Sequence, residues 1–204
     1  MRKIFSLVLA AVVLGGPSLA LAGPEVGKAA PAFSLTGLAG KPVSLADYKG
    51  KTVVLEWLNK DCPFVRHYYK NGDMQALQKK YTDKKVVWLS IVSSADGREG
   101  YFKDAAEAAQ FKADAKASMT DILLDPEGKV GQSYGAKTTP DMYIVSAKGV
   151  LVYSGAIDDK PSTNPDDAAK AKNWVAQGLD EILAKKKVSV PETRPYGCSV
   201  KYKN

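Results

Sequence analysis

The sequence predicts an α/β sandwich with a mixed central sheet and helices on both faces. Three observations carry that prediction. Two short apolar, β-branched runs, 52–58 (TVVLEWL) and 86–92 (VVWLSIV), read as strands buried on both faces. Helical spacing fills 62–81 between them, and the right-handed crossover rule then makes the two strands parallel neighbours. Further on, two more short strands flank Ala147-Lys148-Gly149 as a hairpin, and an amphipathic helix follows.

Taken in order, residues 1–22 read as a cleaved secretory signal. Arg2 and Lys3 open it, 4–14 form an apolar stretch, and Ala20-Leu21-Ala22 offers a small-x-small cleavage site before Gly23. The apolar run is too short to span a bilayer, so no stable membrane insertion is expected after cleavage. Residues 33–45 (FSLTGLAGKPVSL) read as an N-terminal hairpin. The helical stretch 62–81 divides at Asn71-Gly72-Asp73, with Met74, Leu77 and Tyr81 on one face of its second piece. Residues 93–101 form a loop and 104–117 an Ala-rich helix. A short strand at 122–124 ends in Asp125-Pro126-Glu127-Gly128, which is turn chemistry. A helical turn is expected at 130–134, strands at 142–145 and 151–153, and a last helix at 168–185 with Trp174, Leu179, Ile182 and Leu183 as its core face. No repeat or low-complexity linker divides residues 23–185, which read as one domain, and 186–204 form a tail without period.

Composition narrows the chemistry. Hydrophobic residues make up 45% of the 204 positions and charged residues 25%, a globular balance. With one histidine, His67, and two cysteines, Cys62 and Cys198, a zinc site of three or four His/Cys ligands cannot be assembled, and no metal is expected. No GxGxxG or GxxxxGK[ST] loop is present, so no nucleotide cofactor is implied. The net charge of +7 invites a nucleic-acid partner. Past the leader, however, only Arg66, Arg98 and Arg194 are arginines, and the run Lys185-Lys186-Lys187 closes a helix where cations suit the dipole. A solvated surface explains the charge, and nucleic acid is excluded as a partner.

Two places can carry chemistry. Cys62 falls just past the first central strand and just before a helix, with Pro63 at the first helical position. Unpaired backbone N–H groups and the positive end of the helix dipole favour a thiolate there, and the thiolate is the nucleophile. Arg66, about 40° around the helix from Cys62, adds positive charge on the same side. A buried structural cysteine is the competing account. The second place is Thr138-Thr139-Pro140, immediately before a strand, where a cis bond would offer the preceding backbone to an incoming chain.

With these residues on the page, the chain resembles the thioredoxin superfamily, and within it the redoxin branch of alkyl hydroperoxide reductases, thiol-specific antioxidants and peroxiredoxins. The resemblance rests on Cys62 at a strand-to-helix junction, Thr139-Pro140 before a core strand, and the spacing Asp125-x-x-Gly128-x-x-Gly131-x-x-Tyr134. Asp61-Cys62-Pro63-Phe64-Val65-Arg66 and the tail Tyr196-Gly197-Cys198-Ser199-Val200-Lys201-Tyr202 resemble an exported peroxiredoxin-like subgroup. The resemblance implies a thioredoxin-like fold with Cys62 as nucleophile, Arg66 and Asn59 beside it, and Pro63, Thr139 and Pro140 at the substrate. It also implies a peroxide or a protein thiol or disulfide as substrate, a separate reductant, and a periplasmic or secreted location.

The departures from that family are specific. Val65 stands where a Cys-x-x-Cys motif needs its second cysteine, and Leu55 and Asn59 replace the proline and hydroxyl residue of the peroxiredoxin motif. Arg66 likewise stands where a Cys-x-x-x-Cys copper carrier has its second ligand, which makes copper the weakest reading. A disulfide between two molecules is one competing outcome; within one molecule, Cys198 supplies the missing partner in one of two ways. It resolves an oxidised Cys62 as an intramolecular disulfide, or it staples the fold of a scaffold protein without catalysis. Both require the tail to bring Cys198 to Cys62.

Overall fold

The computed structural model describes residues 23–203, so the leader expected at 1–22 lies outside the described residues. The expected hairpin forms as β1 (Ser34–Thr36) and β2 (Pro42–Ser44), followed by a short 3-10 turn at Leu45–Tyr48. Next come β3 (Val53–Trp57), α1 (Pro63–Lys70), α2 (Asp73–Thr82) and β4 (Val87–Val92). Gly72, in the left-handed region, separates the two helices where the sequence marks a break. α3 (Ala105–Asp114), β5 (Asp121–Leu124) and α4 (Lys129–Tyr134) follow. The chain then forms β6 (Thr138–Thr139), β7 (Met142–Val145), β8 (Leu151–Gly155), α5 (Pro165–Ala168), α6 (Trp174–Leu183) and β9 (Cys198–Ser199).

Seven strands make one mixed sheet in the order β2-β1-β5-β4-β3-β7-β8. β3 and β4 are adjacent and parallel over Val53–Trp57, as the crossover rule requires. β5 extends the parallel set, whereas β7 joins β3 antiparallel and turns back into β8. Both central strands are buried throughout, and their alternation splits the core in two. Val54, Leu58, Cys62, Trp88 and Val92 face α1, α2, α3 and α6, while Leu55, Trp57, Leu89 and Ile91 face α4 and the N-terminal segment.

Glu56 interrupts this apolar pattern from inside. Its carboxyl is wholly buried and takes hydrogen bonds from Trp88 Nε1 at 2.8 Å, Ser90 Oγ at 2.9 Å, Tyr69 OH at 3.1 Å and Gln78 Nε2 at 3.3 Å. Burial raises its pKa against the pull of those donors. One side chain thereby ties β3 to β4, α1 and α2.

Two expectations need correction. The last helix does not begin at 168. A separate turn, α5, is capped by the Asn164 side chain on Asp166 N, and α6 starts only at Trp174, where the Asn173 side chain accepts from Ala176 N at 2.7 Å. Its buried face is Val175, Gly178 and Leu179, with Trp174 and Ile182 partly buried against the core, whereas Leu183 is 41% exposed. Leu183 lies one residue beyond the i, i+3, i+4, i+7 stripe that the first three residues and Ile182 define. The tail, which shows no period, is fixed all the same: Ser154 N of β8 donates to Pro191 O, and Thr193 N donates to Ser154 O, both at 3.1 Å, before the chain enters β9. Leu179→Ala is expected to cost about 2–5 kcal/mol in urea unfolding. Leu183→Ala should cost less than about 0.5 kcal/mol, and equal costs would restore the face read from sequence.

Candidate active site

The turn after β3 places Cys62. Asn59 O accepts from Cys62 N at 3.2 Å, and Cys62 O accepts the first helical bonds, from Val65 N at 3.0 Å and Arg66 N at 2.8 Å. Cys62 is therefore the N-cap residue of α1 with Pro63 at the position behind it, as the spacing predicts. Its sulfur is fully buried and donates to Thr139 O at 3.1 Å. The Thr139-Pro140 peptide bond is cis.

The tail completes the site. β9 pairs antiparallel with β6 so that Cys198 lies opposite Thr139 and Ser199 opposite Thr138. This brings the two cysteines together as thiols. The Cys198 thiol is pushed up to about 12, chiefly by burial, then by a hydrogen bond to Cys62 and by the charges of Cys62 and Glu99.

Anchors hold the tail on either side of Cys198. On one side, Tyr196 OH and Tyr68 OH both donate to the buried Asp158 carboxylate and lie 2.8 Å from each other. Burial raises both phenols well above their ordinary value, so they remain donors. The Tyr196 ring also meets Phe64 edge-on at 6.0 Å. On the other side, Val200 N donates to Lys137 O at 3.1 Å, Ala95 N to Lys201 O at 2.9 Å, and Tyr202 OH to Ala136 O at 2.7 Å. The Tyr202 ring occupies the space above Gly128 and Gly131, where a Cβ would come within 2.5 Å of it. The spacing of Asp125, Gly128, Gly131 and Tyr134 thus acquires a local cause. Asp125 accepts from Gly131 N at 2.9 Å and from Ser93 Oγ at 2.6 Å to pin α4, and the glycines leave room for the tail.

The remaining sequence candidates divide. Asn59 is buried, but its side chain serves the neighbouring loop, accepting from Asp61 N at 2.9 Å and donating to Glu99 O at 3.4 Å. Arg66 is exposed and lines a cavity of about 280 Å³ with Pro63, His67 and Lys70. Arg194 lines another of about 580 Å³, beside Thr138, Trp174, Tyr196 and Gly197. His67 is buried against the Tyr68 ring, 3.9 Å between centroids, and burial lowers its pKa. Among the described residues, no three His, Cys, Asp or Glu side chains gather where a metal ion could be held.

Sequence reasoning passed over three carboxylates and the tyrosines that meet them. Glu56 had a visible signal, a charge in the middle of an apolar strand. Asp158 had none, because its partners lie 90 and 38 residues away. Asp141, directly after the cis proline, is 1% exposed and accepts from Lys137 N at 3.1 Å through one oxygen. Burial pushes its carboxyl up to about 7 against those backbone bonds. In the unfolded chain an aspartate titrates near 3.9, so the native state holds the extra proton between the two values. Stability should therefore be greatest below about pH 4 with respect to this group, fall as the pH rises toward 7, and level off above. Asp141→Asn should unfold at a higher temperature than the parent at pH 8 and converge with it toward pH 4. A pH-independent difference would refute this.

With the geometry in hand, the relatives can be placed. Residues 26–154 match the family described as AhpC/TSA. A thioredoxin-like protein of Bacillus subtilis, YneN, is 34% identical over 129 residues, which are 63% of this chain and 70% of that one. A putative peroxiredoxin of Coxiella burnetii, bcp, is 28% identical over 137 residues, 67% of this chain and 83% of the other. The crystal structure of an uncharacterized conserved protein from Geobacillus kaustophilus superimposes with a TM-score of 0.74 at 26% identity, over 88% of this chain and 93% of that one.

Proposed function

Because the chain belongs to the AhpC/TSA family and has a thioredoxin-like fold, we propose that it is an exported thiol oxidoreductase with Cys62 as nucleophile and Cys198 as resolving cysteine. The observation that carries this reading is the β6–β9 pairing, which sets Cys198 opposite the residue whose carbonyl holds the Cys62 sulfur. The substrate is a peroxide or a protein disulfide. With a peroxide, the Cys62 thiolate attacks one oxygen, the O–O bond breaks, and Cys62 becomes a sulfenic acid as the alcohol or water leaves with a proton. Cys198 then attacks the Cys62 sulfur, its thiol proton joins the departing hydroxide as water, and the Cys62–Cys198 disulfide forms. With a protein disulfide, Cys62 attacks one sulfur and displaces the other as a thiol. Cys198 then displaces the first in the same way. An external dithiol restores both thiols and is itself oxidised to a disulfide.

Burial, and then the hydrogen bond to Cys62, hold Cys198 as a thiol in the resting site. Substrate contact is assigned to Pro63, which follows Cys62 at the start of α1, and to Thr139 and Pro140, the first of which accepts the Cys62 thiol. Arg66 and Asn59 act at the margin, Arg66 as surface charge and Asn59 through the loop it holds. The leader pattern at 1–22 supports export. No helix among the described residues is long and apolar enough to cross a membrane.

Treatment with one equivalent of hydrogen peroxide or diamide should yield a monomer lighter by two hydrogens, and Cys62→Ser or Cys198→Ser should each abolish that product. Cys198→Ser should retain a sulfenic acid at Cys62 that dimedone traps, and its turnover with a dithiol reductant should fall by about 100-fold or more. A Cys62–Cys198 bond that resists dithiothreitol until the protein unfolds would instead mark a scaffold with a structural staple.

A further inference from the structure

The edge of β6 next to Cys62 is a row of backbone donors and acceptors, and such an edge is a template for any extended chain. In this protein the chain's own tail fills it. Cys198 and Ser199 take the ladder positions opposite Thr139 and Thr138, and Cys62 beneath them has no exposed surface. The approach is close. Gly197 stands at φ +135°, and a Cβ built there would collide with Thr139 O, the same carbonyl that receives the Cys62 thiol. The tail is also held at both ends, by Tyr196 on Asp158 and Tyr68, and by Tyr202 on Ala136 O above Gly128 and Gly131. A polypeptide seeking the Thr138–Thr139 edge must lift this strand, because Cys198 and Ser199 already hold its ladder positions.

We infer that the docked tail is the specificity element of this site: it stands in for a polypeptide at the Thr138–Thr139 edge, shuts extended protein substrates out, and leaves Cys62 to small oxidants. This deepens the preceding reading and rests on Cys62 being the nucleophile. It selects the peroxide arm over the protein-disulfide arm for the protein as folded here.

The test compares two reagents on the full chain carrying Cys198→Ser, where Cys62 is the sole thiol and the tail backbone is intact. One is the small disulfide 5,5′-dithiobis(2-nitrobenzoate). The other is a synthetic peptide of residues 195–202 with its cysteine activated by the same thionitrobenzoate group. In each case the Cys62 thiol gives its proton to the buffer, and its thiolate attacks the disulfide. A mixed disulfide forms at Cys62 and the coloured thionitrobenzoate anion leaves. Adding Gly197→Ala, which cannot seat against Thr139 O, should raise the peptide rate at least ~10-fold more than the small-reagent rate, as expected when local opening limits the larger probe. Tyr202→Ala, which keeps Gly197 and frees the far end of the tail, should act in the same direction and serves if the first variant does not fold. Equal acceleration of both reagents, or no acceleration of the peptide in either variant, overturns the proposal. Failure of Cys62 to react with either reagent in every variant overturns it together with the nucleophile assignment.

Discussion

The carbonyl of Thr139 is the point on which the site turns. It accepts the Cys62 thiol at 3.1 Å, belongs to the residue paired with Cys198, and is the atom that a Cβ at Gly197 would strike first. Three segments distant in sequence, the β3–α1 turn, the β6–β7 turn and the tail, meet at this one oxygen. β7 begins three residues after Thr139 and is fixed to β3 by the register from Val53↔Val145 to Glu56↔Met142. A shift of β7 by one residue would turn every side chain on it to the opposite face. The sheet register and the site geometry are therefore one constraint.

Two buried carboxyls, Glu56 and Asp158, reinforce that constraint because each takes hydrogen bonds from several elements. Glu56 gathers donors from β4, α1 and α2, so the strand that leads to Cys62 is tied to the helix that follows it. Asp158 collects Tyr68 from α1 and Tyr196 from the tail, and so links the helix that begins at Cys62 to the strand that carries Cys198. Removing a donor from either cluster leaves a buried carboxylate underserved, which makes these networks stiff rather than merely adhesive. Rigid placement of two sulfurs is what thiol chemistry in sequence requires.

Comparison with relatives gains meaning against this arrangement. The family match ends at residue 154, before the tail begins, so Cys62 and Thr139-Pro140 lie within the matched stretch. Cys198, Tyr196 and Tyr202 lie beyond the matched stretch. The third residue after Cys62 is Val65, which is buried in the core against the sheet. The second thiol comes instead from the far end of the chain.

Local patterns in the sequence determined the strands and most helices, because burial on both faces writes a continuous apolar run and a helix writes its own period. Cys62 and Pro63 were legible for the same reason, since a strand end followed by proline marks a helix start. Glu56 could have been noticed, being a lone charge in TVVLEWL. The extent of α6 was misread, because Asn173 begins a new cap within a stretch of unbroken helix-forming residues. What only tertiary structure decided is everything that depends on distant partners: the Asp158 cluster with Tyr68 and Tyr196, the sockets at Gly128 and Gly131, and the docking of the tail. A two-residue strand such as Cys198–Ser199 has no period to detect. Its place is set by an edge near Thr139 that the sequence does not show, since backbone hydrogen bonds between remote segments leave no mark on side-chain order.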